Sequence, residues 1–265
     1  MSIFIIAECG VNHDGSLDKA KRLIDAAKVA GADSCKFQLF RSRKLWGDDR
    51  IAHLELRFSE MVVLRHYCAQ VGIEFLCTPF GMEEVILLRP LLKRYKIASG
   101  CLTRRPILEA VKDTALPVIL STGMATLQEI ATAEQVLWDG DLTLLHCTSA
   151  YPCPIDQVNL RAMIELRDTF RTPVGYSDHT KGITVAIAAA AMGASIIEKH
   201  LTLDCTASGP DHAASIEPKE FRVMVSAIRT VEEALGDGVK RCMASEEGLR
   251  RAWLEPATAD SPSGY

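Results

Sequence analysis

Eight strand-length apolar runs alternate with helix-length amphipathic stretches along the 265-residue chain, and this alternation constrains the fold more than any other feature. The runs are IFIIAE (3–8), SCKFQ (34–38), IEFLC (73–77), RYKIA (94–98), PVIL (117–120), LTLLH (142–146), TPVGY (172–176) and SIIEKH (195–200). Each reads as continuously apolar, as a parallel strand covered on both faces should. The intervening spacing predicts helices near 16–30, 58–70, 82–92, 104–113, 126–137, 157–168, 182–192 and 218–235. In the first of these, Ala20, Leu23, Ile24, Ala27 and Ala30 recur at three- and four-residue intervals, while Asp18, Lys21, Arg22 and Lys28 fall elsewhere. Ser16 is its expected N-cap. Thr126 followed by Glu129 has the spacing of a capping box.

Eight β-then-α units of about 30 residues each match a TIM (β/α)8 barrel in number and size. A doubly wound sheet is the alternative; the absence of any linker or composition shift before residue 240 favours the barrel. The expected division is therefore a barrel over residues 1–240 and a tail over 241–265. The charged start and Pro/Ser/Gly-rich end of that tail predict a partly disordered segment leaving the domain.

Composition narrows the partners. Hydrophobic residues make up 48% of the chain and the formal net charge is -4, so a large core is available and no global basic field exists for nucleic acid. Nine cysteines, odd in number and several inside strand-like runs such as EFLCTPF and LLHCTS, fit buried free thiols in a reducing compartment. The opening MSIFIIAECG is too short and too quickly acidic for a signal peptide or membrane span. A cytoplasmic protein acting on small molecules, with no nucleic-acid or membrane partner, is the expectation.

In a TIM barrel the chemistry sits at the C-terminal ends of the strands. Here those ends carry Glu8, Lys36 with Gln38, Thr78, Lys96 with Ser99, Ser121 with Thr122, His146 with Thr148, Ser177 with Asp178 and His179, and Glu198 with His200. Two ammonium groups, Lys36 and Lys96, facing a common mouth would bind a phosphate or carboxylate, whereas surface lysines would not. Ser99, Ser121 and Thr122, beside Gly100 and Gly123, would add donors around the same anion, although ordinary turns use the same residues. His179 and His200 end runs seven and eight, which are barrel neighbours, and so reach one point on the rim. They either hold a divalent ion acting as a Lewis acid or are simply hydrogen-bonded; spacing leaves both open. Glu8, among apolar neighbours, needs a cation, water or metal beside it. Asp211, in the SGPDH loop, suits a sugar hydroxyl or a plain surface turn. His13 in NHDG reads as a turn or lid residue and His146 as a satisfied core histidine, while His53 and His66 carry no signal.

Taken together, IIAECGVNHDGSLDKAKRLIDAAKVAGADSCKFQ, CTPF, YKIASG, ILSTGM, LLHCTSAYP, GYSDHTKG, IIEKHLTLD and GPDHAASIEP resemble the sialic acid synthase family, with its N-acetylneuraminate, legionaminate, pseudaminate and spore-coat polysaccharide members. The resemblance runs from residue 3 to residue 240. It implies a TIM barrel that condenses phosphoenolpyruvate with N-acetylmannosamine or a related amino sugar, giving a nonulosonic acid and phosphate. It further implies that His179 and His200 hold a divalent metal, usually Mn2+, with Mg2+ or Co2+ as substitutes. By the same resemblance, Lys36 and Lys96 with Thr78, Ser99, Ser121 and Ser177 hold phosphoenolpyruvate, while Gln38, Tyr151 and Asp211 lie on the sugar side. Glu8 joins the two lysines as a catalytic candidate, to orient or deprotonate the attacking water.

Three departures accompany the resemblance. Cys101 stands where some members carry an acidic residue, Ser149 stands where some carry asparagine, and the family's C-terminal antifreeze-like domain is not in this chain. The family's domain-swapped dimer depends partly on that domain; a homodimer through barrel helices stays open. The alternative activities are condensation of phosphoenolpyruvate with a phosphorylated aldose, or a barrel that has lost catalysis and serves as a binding subunit.

Overall fold

The computed structural model describes residues 2–137 and 140–254. Its first half runs β1 (Phe4–Gly10), α1 (Leu17–Ala30), β2 (Ser34–Leu39), a short α2 (Ser42–Trp46), α3 (Phe58–Val71), β3 (Glu74–Pro79), α4 (Met82–Leu88), β4 (Tyr95–Ile97) and α5 (Arg105–Lys112). The second half runs β5 (Val118–Ser121), α6 (Leu127–Leu137), β6 (Leu142–His146), α7 (Ala162–Phe170), β7 (Val174–Asp178), α8 (Thr184–Ala191), β8 (Ile196–His200), α9 (Pro218–Leu235) and α10 (Glu247–Leu254). All eight strands are parallel, in the order β3-β2-β1-β8-β7-β6-β5-β4. β3 and β4 lie side by side without a ladder between them, so the barrel is nearly closed. The expected (β/α)8 architecture is the one observed.

Local signals place the helices. Ser16 Oγ accepts the Lys19 N–H at 3.2 Å and caps α1. At the start of α6, Glu129 Oε2 accepts the Thr126 N–H at 2.8 Å and Thr126 Oγ1 accepts the Glu129 N–H at 3.3 Å, closing the capping box. The helix expected over 82–92 stops at Leu88 and continues as a 3-10 turn, Arg89–Leu91, because Pro90 has no N–H to extend it. The helix expected from 157 begins only at Ala162: a 3-10 turn at Ile155–Gln157 and Asn159 at φ 45° precede it. The 40–57 segment, where no helix is predicted, contains α2 and a further turn at Ala52–Leu54.

The two-residue period of the strands sorts the core into layers. Outward-facing Phe37, Tyr95 and Tyr176 are buried beneath the helices. Inward-facing Ile6, Leu76, Ile119, Leu145 and Ile196, capped below by Phe4, form a separate apolar plug on the barrel axis. Each such side chain contributes about 1.5–3 kcal/mol of burial. One inward step further along the strands, the residues turn polar: Glu8, Lys36, Thr78, Lys96, Ser121, Ser177 and Glu198 are all buried. The plug is therefore the floor on which the functional layer stands.

His146, Asp178 and Lys199 face outward instead. His146 Nε2 meets the Val158 carbonyl at 2.8 Å, a satisfied core histidine. Lys199 and Asp178, both fully buried, pair at 2.8 Å and bind β7 to β8 behind the barrel wall. All nine cysteines are free, seven of them buried and Cys205 and Cys242 half-buried. No helix among the described residues is long and apolar enough to cross a membrane. Of the tail expected over 241–265, α10 has no buried residue, and 255–265 lie outside the described residues.

Candidate active site

The inward period of β1, β2, β4 and β8 brings four charged groups to one buried layer. Lys36 Nζ lies 2.7 Å from Glu8 Oε2 and 3.5 Å from Glu198 Oε2. Lys96 Nζ, from the far side of the barrel, lies 3.5 Å from Glu198 Oε1 and donates to Ser121 Oγ at 2.7 Å. Thr78 Oγ1 accepts from Lys36 at 3.3 Å, and Ser177 Oγ–H donates to Glu198 Oε1 at 2.8 Å. None of the four charged residues is more than 3% exposed, so these are not surface lysines.

Burial and pairing compete at each group. Burial pushes the Glu8 carboxyl up to about 7, against the pull of the Lys36 ammonium. Glu198 also suffers burial, but Lys36, Lys96 and the Ser177 hydroxyl outweigh it and hold the carboxyl well below its usual range. Burial works against the Lys36 ammonium too, yet the two carboxylates win and raise it; at Lys96 burial wins and lowers it. The layer thus offers one carboxyl that titrates near neutrality and one that stays ionised.

Above this layer lies a cavity of about 410 Å3. The His179 and His200 rings stand 5.5 Å apart between centroids, and the Tyr151 ring lies 4.1 Å from the first and 5.7 Å from the second. His179 Nδ1 contacts the Thr148 carbonyl at 2.7 Å and so carries the proton, which leaves Nε2 as a lone pair 3.3 Å from Ser177 Oγ. His200 Nδ1 is buried without a hydrogen bond, 3.5 Å from Asp211 Oδ2. Burial lowers both imidazoles, with His179 adding to the effect on His200, so both are neutral donors. Two neutral imidazoles fit an ion whose other positions are filled by water or substrate. Among the described residues no group of three or more His, Cys, Asp or Glu side chains gathers to hold a metal.

Gly10 shows how tightly the sugar-side candidates converge. It sits at a bulge between β1 and β2 with φ 41°, and a side chain there would come within 2.9 Å of Glu8 Oε1, 3.0 Å of Asp211 Oδ2 and 3.2 Å of Gln38 Nε2. Gln38 Nε2 donates to Glu8 Oε1 at 2.9 Å. Burial pushes the Asp211 carboxyl up to about 6. Ser99 reaches the rim beside Ser149, their hydroxyls 3.1 Å apart, and Gly123 at φ 44° leaves both the space they occupy.

The fold therefore gathers Glu8, Lys36, Gln38, Thr78, Lys96, Ser99, Ser121, Tyr151, Ser177, His179, His200 and Asp211 around one cavity. Three residues named from the strand ends behave otherwise. Thr122 Oγ1 is spent on the Leu145 carbonyl at 3.0 Å, while His146 and Asp178 face outward. Cys101 is buried and does not line the cavity, so no side chain at that position takes up an acidic role. Glu198 is the group whose role sequence reasoning left unassigned. Its signal was parity: it precedes His200 by two residues and shares its face.

Comparison with known proteins shows which family and fold the chain shares. A model described as the NeuB family matches residues 23–240. The N,N'-diacetyllegionaminic acid synthase of Campylobacter jejuni is 44% identical over 268 residues, spanning 92% of this chain and 80% of that protein. The N-acetylneuraminate-9-phosphate synthase of Homo sapiens is 38% identical over 267 residues, spanning 92% and 74%. Among solved structures, the N-acetylneuraminic acid (sialic acid) synthetase of Leptospira borgpetersenii, crystallised with citrate, superposes with a TM-score of 0.91 at 37% identity, covering 95% of this chain and 91% of that one.

Proposed function

Because the chain belongs to the NeuB family and is an enzyme of the sialic acid synthase type, we propose that it condenses phosphoenolpyruvate with the aldehyde end of an amino sugar, releasing phosphate. The observation that carries this reading is the buried layer itself. Two ammonium groups, Lys36 and Lys96, meet at Glu198 directly beneath two neutral imidazoles.

Lys36 and Lys96, with the hydroxyls of Thr78, Ser99, Ser121 and Ser177, hold the phosphate and carboxylate of phosphoenolpyruvate. Gln38, Tyr151 and Asp211 orient the open-chain sugar above it, so that C3 of phosphoenolpyruvate faces the aldehyde carbon. His179 and His200 would hold a divalent ion, manganese by preference, which when bound supplies Lewis-acid polarisation of the aldehyde oxygen. As the new C–C bond forms, positive charge develops at C2 of the former phosphoenolpyruvate, and water adds there. Glu8, whose carboxyl titrates near 7, takes the proton from that water in its ionised form. The former aldehyde oxygen takes up a proton to become a hydroxyl, and the C2–O bond breaks as the new C2 hydroxyl gives up its proton, so that the carbonyl forms and phosphate leaves with the bridging oxygen.

The test combines isotope and metal. Phosphoenolpyruvate labelled with heavy oxygen at the bridging position, incubated with N-acetylmannosamine and Mn2+, should release labelled phosphate; label retained in the sugar acid would refute the C–O cleavage. His200→Ala should abolish phosphate release and weaken Mn2+ binding measured by electron paramagnetic resonance. Unchanged release and binding in that variant would remove His200 from the metal site.

A further inference from the structure

β1 and β2 carry more than their share of the charged layer. Inside the barrel their side chains Glu8 and Lys36 meet at 2.7 Å. On the opposite face of the same two strands, one residue away from each, lie Cys9 and Cys35, both fully buried in the core beneath the helices. The register shifts here: Glu8 pairs with Lys36 and Gly10 with Phe37, so Cys9 has no ladder partner of its own. Its sulfur stands 3.0 Å from that of Cys35. No other thiol among the described residues has a thiol for its hydrogen-bond partner.

A disulfide needs about 2.05 Å between its sulfurs and about 4.4–6.8 Å between the two α-carbons. Neighbouring strands lie about 4.8 Å apart, so the backbone already meets the second requirement, and the first asks the sulfurs to close by about 1 Å. Burial pushes the Cys35 thiol well above its ordinary range, and Cys9 and Cys68 add to this, so Cys35 keeps its proton until a partner sulfur is activated. Both side chains are closed off from solvent, which shuts out a bulky disulfide oxidant and leaves the pair to a small uncharged one.

We propose that Cys9 and Cys35 are a modification site for hydrogen peroxide, which joins them in a disulfide, and that this bond slows the condensation by pulling on the strands that carry Glu8 and Lys36. The Cys9 sulfur attacks one peroxide oxygen, the O–O bond breaks, and the released hydroxide takes the Cys9 proton as water, leaving a sulfenic acid. The Cys35 sulfur then attacks the Cys9 sulfur, the S–O bond breaks, and hydroxide leaves with the Cys35 proton as a second water. Two thiols have given up two electrons, and the peroxide has taken them. Glu8 is held by Lys36 at 2.7 Å and by Gln38 at 2.9 Å, so a movement of its strand strains both contacts. A shift of about 1 Å in a positioned group can cost a hundredfold in rate. The bond itself is independent of the condensation reading; its effect on rate rests on that reading.

The purified chain, treated with hydrogen peroxide, freed of it with catalase and digested without reduction, should yield a cross-linked Cys9–Cys35 peptide, and the intact chain should weigh about 2 Da less. Glutathione disulfide in place of peroxide should leave both thiols free. With N-acetylmannosamine and Mn2+, kcat/KM for phosphoenolpyruvate should fall at least about tenfold on oxidation. Cys9→Ala and Cys35→Ala should each match the unsubstituted rate before treatment and keep it afterwards. Free thiols at both positions, or separate sulfinic acids, would overturn the site, and cross-linking by glutathione disulfide would overturn the choice of oxidant. A cross-linked chain with an undiminished rate, or variants inactivated by peroxide as fully as the unsubstituted chain, would overturn the link to catalysis. A chain that releases no phosphate before treatment overturns the condensation reading and that link with it, while the cross-linked peptide still decides the site.

Discussion

Two ammonium groups taken into a dry layer are each costly alone, and so are two carboxylates. Glu198 resolves this by standing 3.5 Å from both Lys36 and Lys96, while Glu8 takes the second position on Lys36. His13 is a different case: it is 1% exposed, its Nδ1 accepts the Gly15 N–H at 3.0 Å, and the pull of Asp14 and Glu60 does not offset its burial. Burial pushes its imidazole down from 6.5 to about 4. Between those values the unfolded chain binds a proton that the folded chain refuses, so stability is lost as pH falls through the window and is untouched above it. The loss should be on the order of 3 kcal/mol at full effect. Urea unfolding at a series of pH values should show a shallower acid decline for His13→Asn than for the unsubstituted chain; parallel declines would mean that His13 is protonated in the fold. At this scale the sequence was legible wherever parity sufficed: Lys36, Lys96, His179 and His200 could be placed inward from strand period alone. The pairing of Glu198 with Lys96 could not, because it joins β8 to β4 across the barrel and exists only once the sheet has curled.

Among the elements, the loop after β8 is held by more than its own turns. Asn12 Nδ2 donates to the Leu201 carbonyl at 2.9 Å and to Ser215 Oγ at 2.8 Å, and Ser215 Oγ–H donates to the Asp211 carbonyl at 2.7 Å. The buried His212 bridges Thr202 Oγ1 at 2.7 Å and Asp14 Oδ1 at 3.0 Å. The loops after β1 and β8 are thereby clamped, and Asp211 with them. Asp14→Ala should raise KM for the sugar roughly tenfold, the worth of one charged hydrogen bond, with KM for phosphoenolpyruvate unchanged. Steady-state kinetics with each substrate varied in turn will check this; equal rises in both constants would show a general loosening instead. Helix boundaries with a chemical marker, such as Ser16 and the Thr126–Glu129 pair, were readable beforehand. Those that depend on a local backbone state were not: Asn159 at φ 45° delays α7, and no apolar period announces α2 in the 40–57 segment.

For the molecule as a whole, stability resides in the ring of helices and the axial plug, and α10 shares in neither, having no buried residue. Deleting residues 247–265 should therefore leave the thermal unfolding midpoint within about 2 °C of the full chain, as followed by circular dichroism. A larger fall would mean that the tail packs on the barrel. The plug below and the helices around keep bulk water from the charged layer, and this gives the resting ion pairs a second consequence. Any anion that enters must take Lys36 and Lys96 away from Glu8 and Glu198, so its affinity is the difference between two sets of contacts rather than the sum of one. The exchange also runs backwards. When a product anion loosens, the resident carboxylates are already in place to recapture the lysines, so the same pairs that tax entry hasten departure and help to set the turnover rate.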